Sequence, residues 1–88
     1  MGIGNDVVDT DTILHEYGHY LQLQAMGVGN YLFNVAIPSV TGNILDRQGK
    51  LSVHYYSQPW EYEADQLGGV SRGVPLVNLT YRDLLKMF

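Results

Sequence analysis

The chain has 88 residues, of which 45% are hydrophobic and 16% charged, and this composition is typical of one globular domain rather than a disordered segment. Five Lys and Arg against nine Asp and Glu give a formal charge of -4, which is the wrong sign for a nucleic-acid-binding surface. The absence of cysteine excludes disulfides, thiolate zinc sites and cysteine nucleophiles.

The sequence predicts one domain over residues 1–88, with no membrane span and no signal peptide. The longest apolar stretch, 31–40, is shorter than the roughly 20 residues that span a bilayer. The N-terminal segment has no basic residue and no long apolar run. We therefore expect either a protein that stays inside the cell or one domain of a longer polypeptide whose export signal lies elsewhere, and the localisation stays open.

The first strongly predicted element is a helix that begins near residue 10. Residues 2–9 favour at most one brief strand, and the polar residues of 9–12 are good helix N-caps. Apolar residues then recur at three- and four-residue spacing, as on one face of a helix, namely Ile13, Leu14, Tyr17, Leu21, Ala25 and Met26. Gly27 is the predicted end of this helix.

The middle of the chain fits more than one local structure. Residues 31–45 fit either a buried helix interrupted at Pro38 or one or two short strands. Residues 46–50 favour a turn, and the alternation of apolar and polar residues over 51–55 predicts a short strand.

Two further helices are predicted towards the C-terminus. Pro59 favours the first turn of a helix over residues 60–67, which Gly68 and Gly69 end. Thr80 begins a capping-box pattern that opens a short last helix reaching Phe88. The predicted fold class is therefore mainly α with minor β.

The predicted first helix contains the pattern HExxH, as His15-Glu16-Tyr17-Gly18-His19. The two histidines are four residues apart, so both imidazoles lie on one face and can share an ion. Glu16 is rotated by about 100° from His15, where its carboxylate can approach a metal-bound water without binding the metal. This is the division of roles that zinc hydrolysis requires, with imidazoles holding the metal and a carboxylate as general base.

An alternative interpretation without a metal is that His15 and His19 are surface residues and Glu16 is an ordinary solvated charge. The two histidines, however, lie near the predicted apolar face, where imidazoles are costly to desolvate without a partner. We therefore favour the metal interpretation.

A catalytic zinc site usually has three protein ligands, and a second acidic segment offers the third. In the predicted helix over 60–67, Glu61 and Asp65 share one face, whereas Glu63 points away from it. Either Glu61 or Asp65 can therefore bind the metal, and the other can accept an imidazole N–H and fix its tautomer. The spacing alone leaves this choice open.

The combination of HExxH with a downstream ExxAD, Glu61 to Asp65, resembles the gluzincin metallopeptidases. This resemblance implies a minimal zincin-like fold with an active-site helix, a glutamate helix and a short C-terminal helix, in which Zn²⁺ joins the first two helices. It also implies that His15, His19 and Glu61 bind the metal, that Asp65 braces the ligands and that Glu16 is catalytic.

A second, narrower resemblance covers residues 14–39. The segments HEYGHYLQLQAMG and YLFNVAIPS are similar to small zincin-like domains at the C-terminal ends of bacterial Rhs-repeat and polymorphic-toxin proteins. This similarity implies a bacterial protein, part of a larger polypeptide, that acts on a peptide or protein substrate.

The expected function is therefore zinc-dependent hydrolysis of peptide bonds. Full-size gluzincins have a longer N-terminal sheet along the cleft, and here only residues 2–9 could supply its edge strand. One alternative is accordingly an inactive, metal-braced structural or interaction module of a larger protein, and another is a helical binding domain without metal. The candidates for an oxyanion donor are Tyr20, His54, Tyr55 and Tyr56, and the sequence does not select among them.

Overall fold

A computed structural model describes residues 9–88. Except for Asp9, the strand expected over residues 2–9 lies outside the described residues. Asp9 is the N-cap of the first helix, because its side chain accepts a hydrogen bond of 2.8 Å from the backbone N–H of Thr12.

The described part of the chain is mainly helical, as predicted. Its elements are α1 (Thr10–Met26), α2 (Val28–Tyr31), a π-helical turn (Leu32–Ala36), α3 (Ile37–Arg47), a 3₁₀ turn (Tyr55–Ser57), α4 (Pro59–Gly68) and α5 (Tyr81–Leu85). No helix within residues 9–88 is both long and apolar enough to cross a bilayer.

Residues 9–88 contain no β-strand, so the strand predicted over 51–55 is not formed. This segment forms bends and then enters the 3₁₀ turn, where the imidazole of His54 accepts a hydrogen bond from the backbone N–H of Tyr56. Alternating side chains do not make a strand without a neighbouring strand to pair with, and the described residues provide none there.

The ambiguous segment 31–45 is helical, and a π-helical turn lies immediately before Pro38. The proline ring has no N–H and would clash with the carbonyl four residues earlier in a regular α-helix. In the π turn the backbone N–H of Ile37 instead bonds to the carbonyl of Leu32, five residues back. This wider turn allows the helix to continue through the proline up to Arg47.

The ends of the last two helices follow the signals in the sequence. α4 covers the predicted residues 60–67 with one more residue at each end, and Gly69 ends it in the left-handed conformation at φ 80°. Thr80 and Asp83 form both hydrogen bonds of a capping box at the start of α5. α5 ends at Leu85 rather than at Phe88.

α1 packs closely on α4, through glycine and polar side chains rather than through its predicted apolar face. A methyl group at Gly18 would overlap the backbone carbonyl of Ala64. The buried residues of α1 are His15, Gly18 and Gln22, whereas Ile13 is 57% exposed. The expected apolar face of α1 was therefore wrong, because the close helix contact accepts only small groups and side chains that form hydrogen bonds across it. The buried apolar cluster lies elsewhere, at Val35, Leu45, Trp60 and Leu84.

We predict that Gly18→Ala separates α1 from α4 and lowers the free energy of unfolding by about 1–3 kcal/mol, although alanine favours helix. For a domain of this size, this loss corresponds to a decrease in Tm of roughly 4–8 °C per kcal/mol. The matched control is Gly29→Ala in α2, where an added methyl group meets nothing within 4 Å. If thermal unfolding shows that both substitutions raise Tm, the close contact of α1 with α4 does not exclude a methyl group at position 18.

Candidate metal centre

α1 and α4 bring the two histidines of HExxH to the carboxylate of Glu61. The Nε2 atoms of His15 and His19 lie 2.8 and 3.1 Å from Oε1 of Glu61. One ligand atom from each of the three residues falls within 4.8 Å of the other two. Glu61 is completely buried and His15 is 5% exposed, so the cluster lies inside the helix interface.

The other ring nitrogen of each histidine is held by a separate partner. Nδ1 of His15 donates to Oδ1 of Asp65 at 2.7 Å, and Nδ1 of His19 donates to the amide oxygen of Gln22 at 2.7 Å. The buried amide nitrogen of Gln22 in turn donates to the backbone carbonyl of Trp60 at 3.0 Å. Both rings therefore direct Nε2 at the cluster, which is the orientation that a metal site requires.

Asp65 is itself held by a cation from the segment that follows α4. Nε of Arg72 donates to Oδ2 of Asp65 at 2.8 Å, and its guanidinium carbon lies 3.6 Å from the ring centroid of Tyr56. The Tyr56 ring also stands edge-on to His15, with ring centroids 5.2 Å apart. Arg72 therefore holds Asp65 in place, and Asp65 in turn orients the imidazole of His15.

The second oxygen of Glu61 faces two hydroxyl groups. The hydroxyl of Ser39, on α3, donates to Oε2, and the hydroxyl of Tyr55 donates to the same oxygen at 3.2 Å. The two oxygens of this carboxylate consequently have different surroundings, imidazoles on one side and hydroxyls on the other.

The electrostatics of the cluster favour ionised Glu61. Burial opposes the charged form, but hydrogen bonds from the two imidazoles and Ser39 outweigh it and lower the pKa of Glu61 to about 2. Burial also opposes protonation of His15 and His19, yet their contacts with Glu61 prevail and raise the pKa of both. Burial, together with the nearby Glu61 charge, raises the pKa of Tyr55 to about 12. A buried carboxylate thus stays charged because cationic or hydrogen-bonding groups surround it.

The donor set could hold a metal ion. Two imidazole nitrogens and one carboxylate oxygen form a common catalytic zinc set, and two ligand atoms of a tetrahedral ion lie about 3.4 Å apart. The distances of 2.8 and 3.1 Å to Oε1 of Glu61 would need to lengthen by about 0.6 and 0.3 Å to reach that separation. The same atoms also satisfy one another as ion pairs, so the cluster has internal partners without an ion.

Glu16 lies beside the cluster in an open cleft of about 420 Å³. Its side chain is exposed, one residue along α1 from His15. Across the cleft stand residues of α3, among them Ser39, Val40 and Asn43. A solvated carboxylate is therefore available where the cluster meets the cleft.

The structure brings together all five residues that the sequence singled out, with Glu61 against both imidazoles and Asp65 on the far side of His15. Gln22 was not assigned to the site, although its position seven residues after His15 puts both on one helix face. Ser39 and Arg72 come from other segments, and no local sequence pattern marks either of them as part of the site. Among the four oxyanion candidates, Tyr55 and Tyr56 line the cleft, whereas Tyr20 and His54 are exposed residues outside its lining.

Comparison of the chain with protein-family models, with curated proteins and with solved structures gives no match. The chemistry of the site therefore has to be inferred from its own residues.

We predict that Arg72→Gln leaves Asp65 without its cation and lowers the free energy of unfolding by about 1–3 kcal/mol, the range for a hydrogen bond to a charged group. Arg72→Lys should recover part of this loss, because an ammonium keeps the charge but not the stacking on Tyr56. The matched control is Arg82→Gln, which removes the same charge from an exposed position on α5. Equal unfolding midpoints in urea for the two glutamine variants would contradict the role of Arg72.

Proposed function

We propose that this protein is a minimal, gluzincin-like zinc metallopeptidase that hydrolyses peptide bonds with Glu16 as general base. The observation that carries the proposal is the convergence of two Nε2 atoms on Oε1 of Glu61, with both Nδ1 atoms already bound to outer partners. A purely structural cluster of buried polar groups would not require that both rings turn the same nitrogen inward.

In this proposal Zn²⁺ is held by His15, His19 and Glu61. Asp65 and Gln22 keep the two imidazole rings in the orientation that directs Nε2 at the metal. When bound, zinc polarises the scissile carbonyl and lowers the pKa of its water towards ~7. Glu16 accepts a proton from the attacking water and later donates it to the amide nitrogen as the peptide bond breaks. Its place at the edge of the cleft, rather than among the buried ligands, suits a group that must exchange protons.

The substrate in this proposal is a peptide or protein segment that lies in the cleft between α1 and α3. Residues 9–88 offer no sheet edge for strand addition, so side chains such as Asn43 and Tyr55 would hold the peptide backbone. The resemblance of residues 14–39 to zincin-like domains of bacterial polymorphic-toxin proteins supports a role within a larger polypeptide.

One observation favours a second candidate function, a metal-braced structural module without activity. The cluster connects α1 to α4, and the cleft walls that the structure describes come from helices and from the 3₁₀ turn. A metal in this position would cross-link the fold even if no substrate were bound. The two functions differ in whether the zinc-loaded protein cleaves peptides.

The central test is Glu16→Gln, which we expect to reduce peptide cleavage by at least 100-fold while zinc stays at one ion per chain. Cleavage of a diverse peptide mixture is followed by mass spectrometry, and zinc is measured by elemental analysis. The matched control is Asp46→Asn, which removes one negative charge at an exposed position at the end of α3 and should leave cleavage unchanged.

Each result of this test separates the two candidate functions or rejects both. Wild-type protein that holds zinc but cleaves nothing favours the structural module. Loss of zinc in Glu16→Gln would mean that Glu16 is a ligand rather than the general base. Protein that holds no metal rejects both metal-dependent functions.

We further expect that removing the metal destabilises the protein. A ligand that binds only the folded state at 100 times its Kd adds about 2.7 kcal/mol, so a chelator should lower Tm by roughly 10–20 °C. The comparison is His19→Ala, in which the chelator should have no effect because one ligand is missing. An identical chelator response in wild type and His19→Ala, measured by thermal unfolding, would contradict a zinc site at these residues.

A further inference from the structure

The two oxygens of Glu61 are not equivalent, and the difference is built from residues outside HExxH and ExxAD. Oε1 faces both imidazole Nε2 atoms, at 2.8 and 3.1 Å. Oε2 faces away from them and accepts from the hydroxyls of Ser39 and Tyr55. Carboxylates bind metals through one or both oxygens, so whatever holds Oε2 decides how many ligand atoms Glu61 supplies.

We propose that Ser39 and Tyr55 are positioning residues that retain Oε2 of Glu61, so that this glutamate presents Oε1 alone to a bound metal. The inference rests on the proposed zinc site. The protein then supplies three ligand atoms rather than four, which leaves a position of the metal open towards the cleft. An open position is what separates catalytic zinc sites from closed structural ones.

Three features of the structure suit the hydroxyls of Ser39 and Tyr55 to retaining Oε2 of Glu61. They come from different elements, α3 and the 3₁₀ turn, so both must be in place to surround Oε2. Their oxygens lie 3.5 Å apart, close enough to support each other. Both side chains are half-buried beside the completely buried carboxylate of Glu61.

The π-helical turn contributes to this arrangement because it ends at Ala36, just before Ser39. A π turn adds one residue relative to a regular helix and so rotates every later side chain about the axis. Val35 is buried in the apolar cluster, and Ser39 four residues later faces Glu61. The π-helical turn that accommodates Pro38 therefore also determines the direction of the Ser39 side chain.

The test uses Co²⁺ as a spectroscopic replacement for zinc, in the complete chain. Cobalt with four ligand atoms absorbs visible light strongly, and its absorption weakens when a fifth ligand binds. We expect wild-type protein to show the strong bands and the double variant Ser39→Ala/Tyr55→Phe to show weaker, shifted bands, because the released Oε2 joins the metal. Zn²⁺ affinity, measured by competition with a coloured chelator, should fall by about 10–100-fold.

Matched controls separate this effect from a general loss of hydroxyl groups or of fold. Tyr20→Phe and Ser52→Ala remove the same groups at exposed positions outside the cleft and should keep the wild-type bands and affinity. Ser39→Thr retains a hydroxyl and should keep the strong bands. Circular dichroism verifies the fold, and the single variant Tyr55→Phe, which keeps its ring, replaces the double variant if that does not fold.

The results distinguish this inference from the function on which it rests. Strong bands and unchanged affinity in the double variant overturn the role of Ser39 and Tyr55 but leave the zinc site intact. Weak bands already in the wild type also overturn it, because Glu61 would then not be limited to one oxygen. Failure of wild-type protein to bind Co²⁺ or Zn²⁺ overturns the proposed function and this inference together.

Discussion

The close contact between α1 and α4 is the constraint on which the rest of the structure depends. Imidazoles four residues apart on one helix can meet a carboxylate on another only if the two backbones come unusually near. Gly18 permits this approach against Ala64, and Gly68 does the same against Leu14, since a methyl group at either glycine would overlap a backbone carbonyl. The glycine within HExxH therefore costs helix propensity but makes the helix contact possible.

At this contact α1 and α4 bury polar side chains that form hydrogen bonds, in place of apolar side chains. Between α1 and α4 the chain buries His15, Gln22, Glu61 and Asp65, and in small domains such groups contribute little net stability unless every partner is in place. Here each of them has partners: Asp65 has His15 and Arg72, and Gln22 has His19 and the carbonyl of Trp60. The burial of a polar network at this expense is more typical of a functional site than of a core selected for stability.

Structural features that depend on a few neighbouring residues could be predicted from the sequence. Features that depend on contacts between distant segments could not. The N-cap of α1, the glycine that ends α4 and the capping box at Thr80 each depend on a few neighbouring residues, and all three are present. The predicted apolar face of α1 was wrong because periodicity cannot show which face meets a helix 40 residues away. Segment 31–45 stayed ambiguous because Pro38 argues against a helix unless a π turn accommodates it.

The same distinction applies to the site. HExxH lies within one helix, and its partner acid follows from spacing and resemblance, so five residues of the candidate site could be named from the sequence. Ser39 and Arg72 could not, because each belongs to a segment without a local pattern and reaches the cluster only through tertiary packing.

The charges around the cluster also explain why Glu16 suits a place outside it. In formal charges Glu61 and Asp65 contribute two negative charges and the half-buried Arg72 one positive charge, so a divalent cation with neutral imidazoles would leave one positive charge in excess. The exposed carboxylate of Glu16, which lines the cleft, would supply the compensating negative charge without being buried. A carboxylate that balances the charge while it stays in solvent avoids the desolvation cost that a third buried acid would carry.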